Sequence, residues 1–148
     1  MKNRSEIDEM TGLFNKNKYL QMKEEYYAGM EAVGVVFWDV NNLKQTNDTL
    51  GHEQGDLLIR TTAQMMKNLI TANREVYRIG GDEFIMVVSH PAEGEMQEIE
   101  KRWSEMEGQI AGTLEIPYSV ATGMAVGTEK NLEGQNITTI GMKAHFKQ

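Results

Sequence analysis

Apolar positions along the chain fall into two periods. After Asn15, a residue suited to capping a helix N-terminus, the stretch from Lys16 to about Tyr27 reads as a helix. The run Ala32-Val33-Gly34-Val35-Val36-Phe37-Trp38 follows as a buried strand that ends at Asp39. From Glu53 to Asn68, Leu58, Thr62, Met65 and Leu69 recur at the spacing of one helix face. Glu75 to Ile79 and Phe84 to Val88 are strand-like runs on either side of Gly80-Gly81, whose missing side chains would permit the positive φ of a tight hairpin and leave Asp82 and Glu83 at its tip. Met96, Ile99, Trp103, Met106 and Ile110 mark another amphipathic helix, and Tyr118, Val120, Thr122 and Met124 alternate as in a half-buried strand. Helices packed on a central, largely antiparallel sheet, an α+β architecture, is the fold class this order predicts.

Nothing in the pattern asks for a second domain. The 148 residues carry no repeat or low-complexity linker, and the two prolines, Pro91 and Pro117, sit at expected element boundaries. One domain over residues 1–148 is expected.

Charge and composition narrow the chemistry. A formal net charge of −7 argues against a nucleic-acid or anionic membrane surface, which needs clustered Lys and Arg. With no cysteine, any metal site must use oxygen or histidine ligands. No apolar stretch approaches a membrane span and the first residues lack the apolar core of a signal peptide, so a soluble, cytoplasmic chain is expected.

Two acidic groups stand beside strand ends: Asp39, and the pair Asp82-Glu83 after two glycines. Carboxylates converging from separate strands suit a hard cation such as Mg²⁺, which takes a few carboxylate oxygens together with water and phosphate. The residues alone leave a plainer reading open, with Asp39 capping a helix and Gly80-Gly81-Asp82 an ordinary turn.

The stretch Arg78-Ile79-Gly80-Gly81-Asp82-Glu83-Phe84 resembles the signature hairpin of the GGDEF domain family of diguanylate cyclases. Asn47-Asp48, Gly51-His52 and Gly55-Asp56 resemble the family's upstream pattern at the family's distance from Asp39 and Gly80, and Asp8 to Asn15 looks like its opening segment. The resemblance runs from about residue 8 to about residue 126 and implies a nucleotidyl-cyclase-like, palm-like fold that joins two GTP molecules into cyclic di-GMP.

By that resemblance, Asp39 and Asp82 share one or two Mg²⁺ or Mn²⁺ ions, the Val40 carbonyl adds a ligand, Glu83 completes the acidic cluster, and Asp82 is the general base. Lys44 would offer a point charge to the β- or γ-phosphate, helped by the backbone N–H groups of Asn42 and Leu43; the alternative is a solvated lysine. Asn47 and Asp56 are assigned to the base, because guanine presents adjacent N1–H and N2–H donors to a carboxylate that adenine would leave unpaired. His52, in what reads as the same loop, either approaches the nucleotide or holds loop backbone. His90 and His145 match no motif. Each domain of this kind holds one GTP, so a homodimer is implied for catalysis.

The chain departs from the family pattern in three places. Asn41 stands where an aspartate is frequent, and Thr71-Ala72-Asn73-Arg74 replaces the inhibitory Arg-x-x-Asp, which implies no feedback inhibition through that site. Gly141-Met142-Lys143-Ala144-His145-Phe146 keeps only Ala144 and an aromatic of the closing helix, and the chain stops at Gln148, one residue before a phosphate-contacting lysine would fall. The resemblance therefore implies either a truncated or a diverged terminus. With no coiled coil or sensor segment before residue 8, it also implies a weakly active monomer that an upstream sensory or regulatory domain would complete. The competing expectation is a binding module that keeps GTP or a cyclic dinucleotide without turning it over.

Overall fold

The computed structural model describes residues 6–127. Helix α1 (Lys16–Glu25) starts as its sequence indicates: Asn15 Oδ1 accepts a hydrogen bond of 2.9 Å from the Lys18 N–H. It stops short of the expected Tyr27. Tyr26 leaves helical geometry, and a short 3₁₀ turn, Tyr27–Gly29, turns the Tyr27 ring inward, where its hydroxyl meets Glu75 at 2.6 Å and also the Tyr77 hydroxyl. Burying the ring with its hydroxyl satisfied outweighs one more turn of helix.

Strand β1 (Val33–Val40) lies at the centre of the sheet. Helices α2 (Leu43–Leu50) and α3 (His52–Lys67) follow, then the hairpin β2 (Arg74–Arg78) and β3 (Glu83–Ser89), α4 (Glu95–Ala111) and β4 (Val120–Gly127). The strand order is β2-β3-β1-β4, and each neighbouring pair is antiparallel.

Because successive side chains of a strand point to opposite faces, β1 feeds two cores. Val33 and Val35 pack with Tyr19, Tyr27, Tyr77, Ile85 and Val87 beneath α1. Val36, Trp38 and Val40 pack on the other face with Leu58, Ile59 and Met66 of α3 and Ile99 and Trp103 of α4. This two-sided burial explains why β1 reads as an unbroken apolar run rather than an alternation.

The expected stripe Leu58, Thr62, Met65 and Leu69 is buried throughout. Thr62 can sit there because its hydroxyl donates to the Leu58 carbonyl and meets the Tyr118 hydroxyl, each at 2.7 Å. Among the described residues no helix is long and apolar enough to cross a membrane.

Candidate active site

Asp39 is the second-last residue of β1 and pairs in register with Glu83, the first residue of β3. Directly opposed residues of an antiparallel pair share a face, so two acids meet across the strands. The preceding turn brings a third. The Asp82 carbonyl accepts from the Val40 N–H at 2.9 Å, which docks the turn on the end of β1. Asp39, Asp82 and Glu83 each offer a carboxylate oxygen within 4.8 Å of the others, and all three residues are partly buried. Asp39 is thus a strand residue, not a helix cap. The Val40 carbonyl lies at the same strand end.

The turn itself is clamped. Ile79 N–H donates to the Glu83 carbonyl at 3.0 Å. Arg78 donates through Nε to the Gly80 carbonyl at 3.2 Å and through Nη2 to the Gly81 carbonyl at 2.8 Å, while its Nη1 reaches Asp8 at 3.3 Å. Positive φ, the reason expected for the paired glycines, is not found at either; it occurs instead at Gly12, Gly51 and Gly94. At Gly80 a Cβ would lie 2.7 Å from Glu83 Oε1, so a side chain there would displace the Glu83 carboxylate from its place in the cluster. The turn closes without left-handed residues because the arginine fork holds two of its carbonyls. Nothing in the structure requires glycine at position 81.

Electrostatics follow from the crowding. Burial, then a hydrogen bond with Asp82 and the negative charges of Asp82 and Glu83, push the Asp39 carboxyl from 3.8 up to about 7. Three mutually repelling hard oxygen donors at a partly solvated sheet edge fit a divalent cation, whose charge would replace the shared proton. A carboxyl raised in the folded state contributes stability that is present below its unfolded value of 3.8 and is lost as pH rises through about 7. In EDTA, the Asp39 contribution to the melting temperature is therefore expected to fall between pH 5 and pH 8, with Asp39→Asn flattening the change. Magnesium is expected to raise the melting temperature more at pH 8 than at pH 5. Equal magnesium shifts at both values would contradict a proton and a metal competing for one site.

The segment around Asn47 and His52, expected to be a loop, is helical, and Asp56 falls in the helix expected from Glu53. Asn42, at φ 60°, opens α2; Gly51, at φ 95°, joins it to α3. Asn47 therefore lies on α2, His52 begins α3 and Asp56 lies in its second turn. His52 is exposed, on the first turn of a helix rather than bracing a loop. The Asn47 side chain packs against Gly55, the neighbour of Asp56, and its Oδ1 is buried with no hydrogen-bond partner among the described residues. The Asn42 and Leu43 amides stand at the N-terminus of α2, where helix geometry leaves N–H groups without intrahelical partners. The Lys44 side chain is 94% exposed, 3.8 Å from Asp48. Asn41 donates to Ser119 Oγ at 2.9 Å.

At the Arg-x-x-Asp positions, Arg74 is held internally: Nε donates to Glu95 at 2.9 Å and Nη1 to the Leu69 carbonyl at 2.9 Å. The segment Gly141–Phe146, with His145, lies outside the described residues. Sequence reasoning did not single out Arg78 as the clamp of the turn; its place two residues before the glycines was the available signal.

The family model described as diguanylate cyclase, GGDEF domain matches residues 5–144. The chain belongs to the GGDEF domain family. Among curated relatives, the probable diguanylate cyclase DgcJ of Escherichia coli K12 is 33% identical over 116 residues, covering 76% of this chain and 23% of that protein. The cyclic di-GMP phosphodiesterase PdeR of the same strain is 29% identical over 115 residues, covering 76% of this chain and 16% of that protein. The chain thus spans about a fifth of the length of the curated relatives it matches. Among solved structures, the GGDEF domain of DgcB from Caulobacter crescentus, in complex with c-di-GMP, superposes with a TM-score of 0.79 at 20% identity, covering 97% of this chain and 89% of that one. The expected α+β GGDEF fold is the one observed.

Proposed function

We propose that this GGDEF domain condenses two GTP molecules into cyclic di-GMP and two pyrophosphates, and that the convergence of Asp39, Asp82 and Glu83 on one sheet edge is the observation that carries this reading. Asp39, Asp82, Glu83 and the Val40 carbonyl would hold Mg²⁺ or Mn²⁺. Such an ion supplies positive charge for the departing pyrophosphate and lowers the pKa of the attacking hydroxyl. Asp82, as general base, takes the proton of a 3′-hydroxyl as its oxygen bonds to the α-phosphorus of the second GTP and the bond to pyrophosphate breaks. The same step in the opposite sense closes the ring, so two copies of the domain must face each other, each holding one GTP. Lys44, solvated and able to swing, and the amides of Asn42 and Leu43 would meet the phosphates, with His52 offered from the exposed first turn of α3. Asn47 and Asp56 would read guanine.

The test is to incubate the concentrated chain with GTP and Mg²⁺ or Mn²⁺, with an EDTA control, and separate the nucleotides by chromatography. Metal-dependent cyclic di-GMP is expected. Asp56→Ala is expected to weaken GTP by about tenfold to a hundredfold while leaving ATP binding unchanged, since a lost charge-assisted hydrogen bond costs about 1.5–3 kcal/mol. A variant that still prefers GTP to ATP as the wild type does would remove Asp56 from base recognition. The similarity to PdeR, a phosphodiesterase by name, favours a second reading in which the domain retains nucleotide without joining it. A GTP-dependent rise in melting temperature with no product would select that reading.

A further inference from the structure

Gly55 ends the first turn of α3 and is absent from the glycines of positive φ, so its backbone conformation is open to any residue. Alanine is the better helix former there, because glycine gives up more conformational freedom on folding. The reason for glycine is space. A Cβ at position 55 would overlap Asn47 Oδ1, lie 2.8 Å from Asn47 Cγ and approach Leu43 Cδ1 to 3.3 Å. One end of the Asn47 amide is therefore seated on the bare Cα of Gly55. That end is a buried polar atom without a partner among the described residues, a costly arrangement for folding alone. The residue as a whole is half-buried, and its seat across the α2–α3 contact lies one residue along the helix from Asp56.

We propose that Gly55 is a positioning residue for base specificity: by lacking a side chain it admits the Asn47 amide between α2 and α3, one residue from Asp56, and fixes where that amide meets the purine edge. This deepens the proposed assignment of Asn47 and Asp56 to guanine and rests on it. A Cβ at position 55 would not need to break the fold, because the atoms it meets belong to the Asn47 and Leu43 side chains and none to the backbone, so side-chain movement can relieve the collision. It would move the amide off its seat.

The test compares Gly55→Ala, Asn47→Ala and the double variant with the wild-type chain, titrating GTP and ATP in Mg²⁺ by calorimetry and checking each fold by circular dichroism. Gly55→Ala is expected to keep the fold and lose at least tenfold in GTP affinity with ATP affinity unchanged. The double variant is expected to bind GTP no more weakly than Asn47→Ala, because the added methyl acts only through the amide. Should Gly55→Ala alone fail to fold, the double variant, freed of the collision, must fold and match Asn47→Ala. Wild-type GTP affinity in Gly55→Ala beside a loss in Asn47→Ala overturns the positioning role, as does additive loss in the double variant. Wild-type affinity in Asn47→Ala overturns the base assignment itself.

Discussion

Replacing Asp82 by alanine is expected to lower cyclic di-GMP formation by about 10³-fold or more, since a positioned general base alone contributes about 10²–10⁴ and the same carboxylate is proposed to hold metal. The effect on folding should run the other way. Asp82 faces Asp39 and Glu83 within 4.8 Å, and its charge helps to push the Asp39 carboxyl up to about 7. At pH 8, where Asp39 is ionised, removing one of three mutually repelling acids relieves that strain, so the metal-free variant should melt no lower than the wild type. Its magnesium-dependent rise in melting temperature should shrink, and Asp39 should titrate closer to the ordinary carboxylate range. The measurements are product chromatography and thermal melts with EDTA or Mg²⁺ on both chains. Undiminished turnover in Asp82→Ala would sink the proposed mechanism; a variant destabilised in EDTA would show that Asp82 serves the fold rather than the reaction.

Trp38→Ala should cost about 3–5 kcal/mol, a large share of the roughly 5–15 kcal/mol that stabilises a domain. Trp38 has no solvent exposure, and its ring centroid lies 5.1 Å from that of Trp103, so the pair joins the central strand to α4. The rest of this core comes mainly from the sheet's own strands and from α3 and α4, and the sheet is also covered on its other face, which limits how far the core can collapse into the hole. At about 2–4 °C per kcal/mol for a chain near this length, the melting temperature should drop by about 10 °C. The indole Nε1 is buried without a partner among the described residues, so Trp38→Phe forfeits ring area but no hydrogen bond. It should cost less than half as much as alanine. Urea denaturation of the three chains decides; equal losses for Phe and Ala would mean that the Nε1 group, and not the ring, carries the stability.

Where burial imposes a period, the sequence was readable. β1 is buried on both faces and reads as a solid apolar run; α3 and α4 show one face each at helical spacing, and all three were expected close to where they lie. α2 was not expected. Leu43-Lys44-Gln45-Thr46-Asn47-Asp48-Thr49-Leu50 is rich in Thr, Asn and Asp, which favour caps and turns over helix interiors, and only Thr46 is buried. Packing of this segment on α3, through contacts such as Asn47 on Gly55, supplies what propensity withholds.

The amino-acid sequence by itself determined the family, the α+β class and the identities of the acids, because each rests on residues near one another in the chain or on a period of burial. Only the tertiary structure decided that Asp39 and Glu83 oppose each other in register, that the Arg78 fork rather than left-handed glycines closes the turn, and that Asn47 is seated against Gly55. The first joins residues far apart in the chain and the other two lie within a turn or between neighbouring helices, but all are made by chemically ordinary residues. Their geometry comes from strand register and helix packing, which no local pattern encodes.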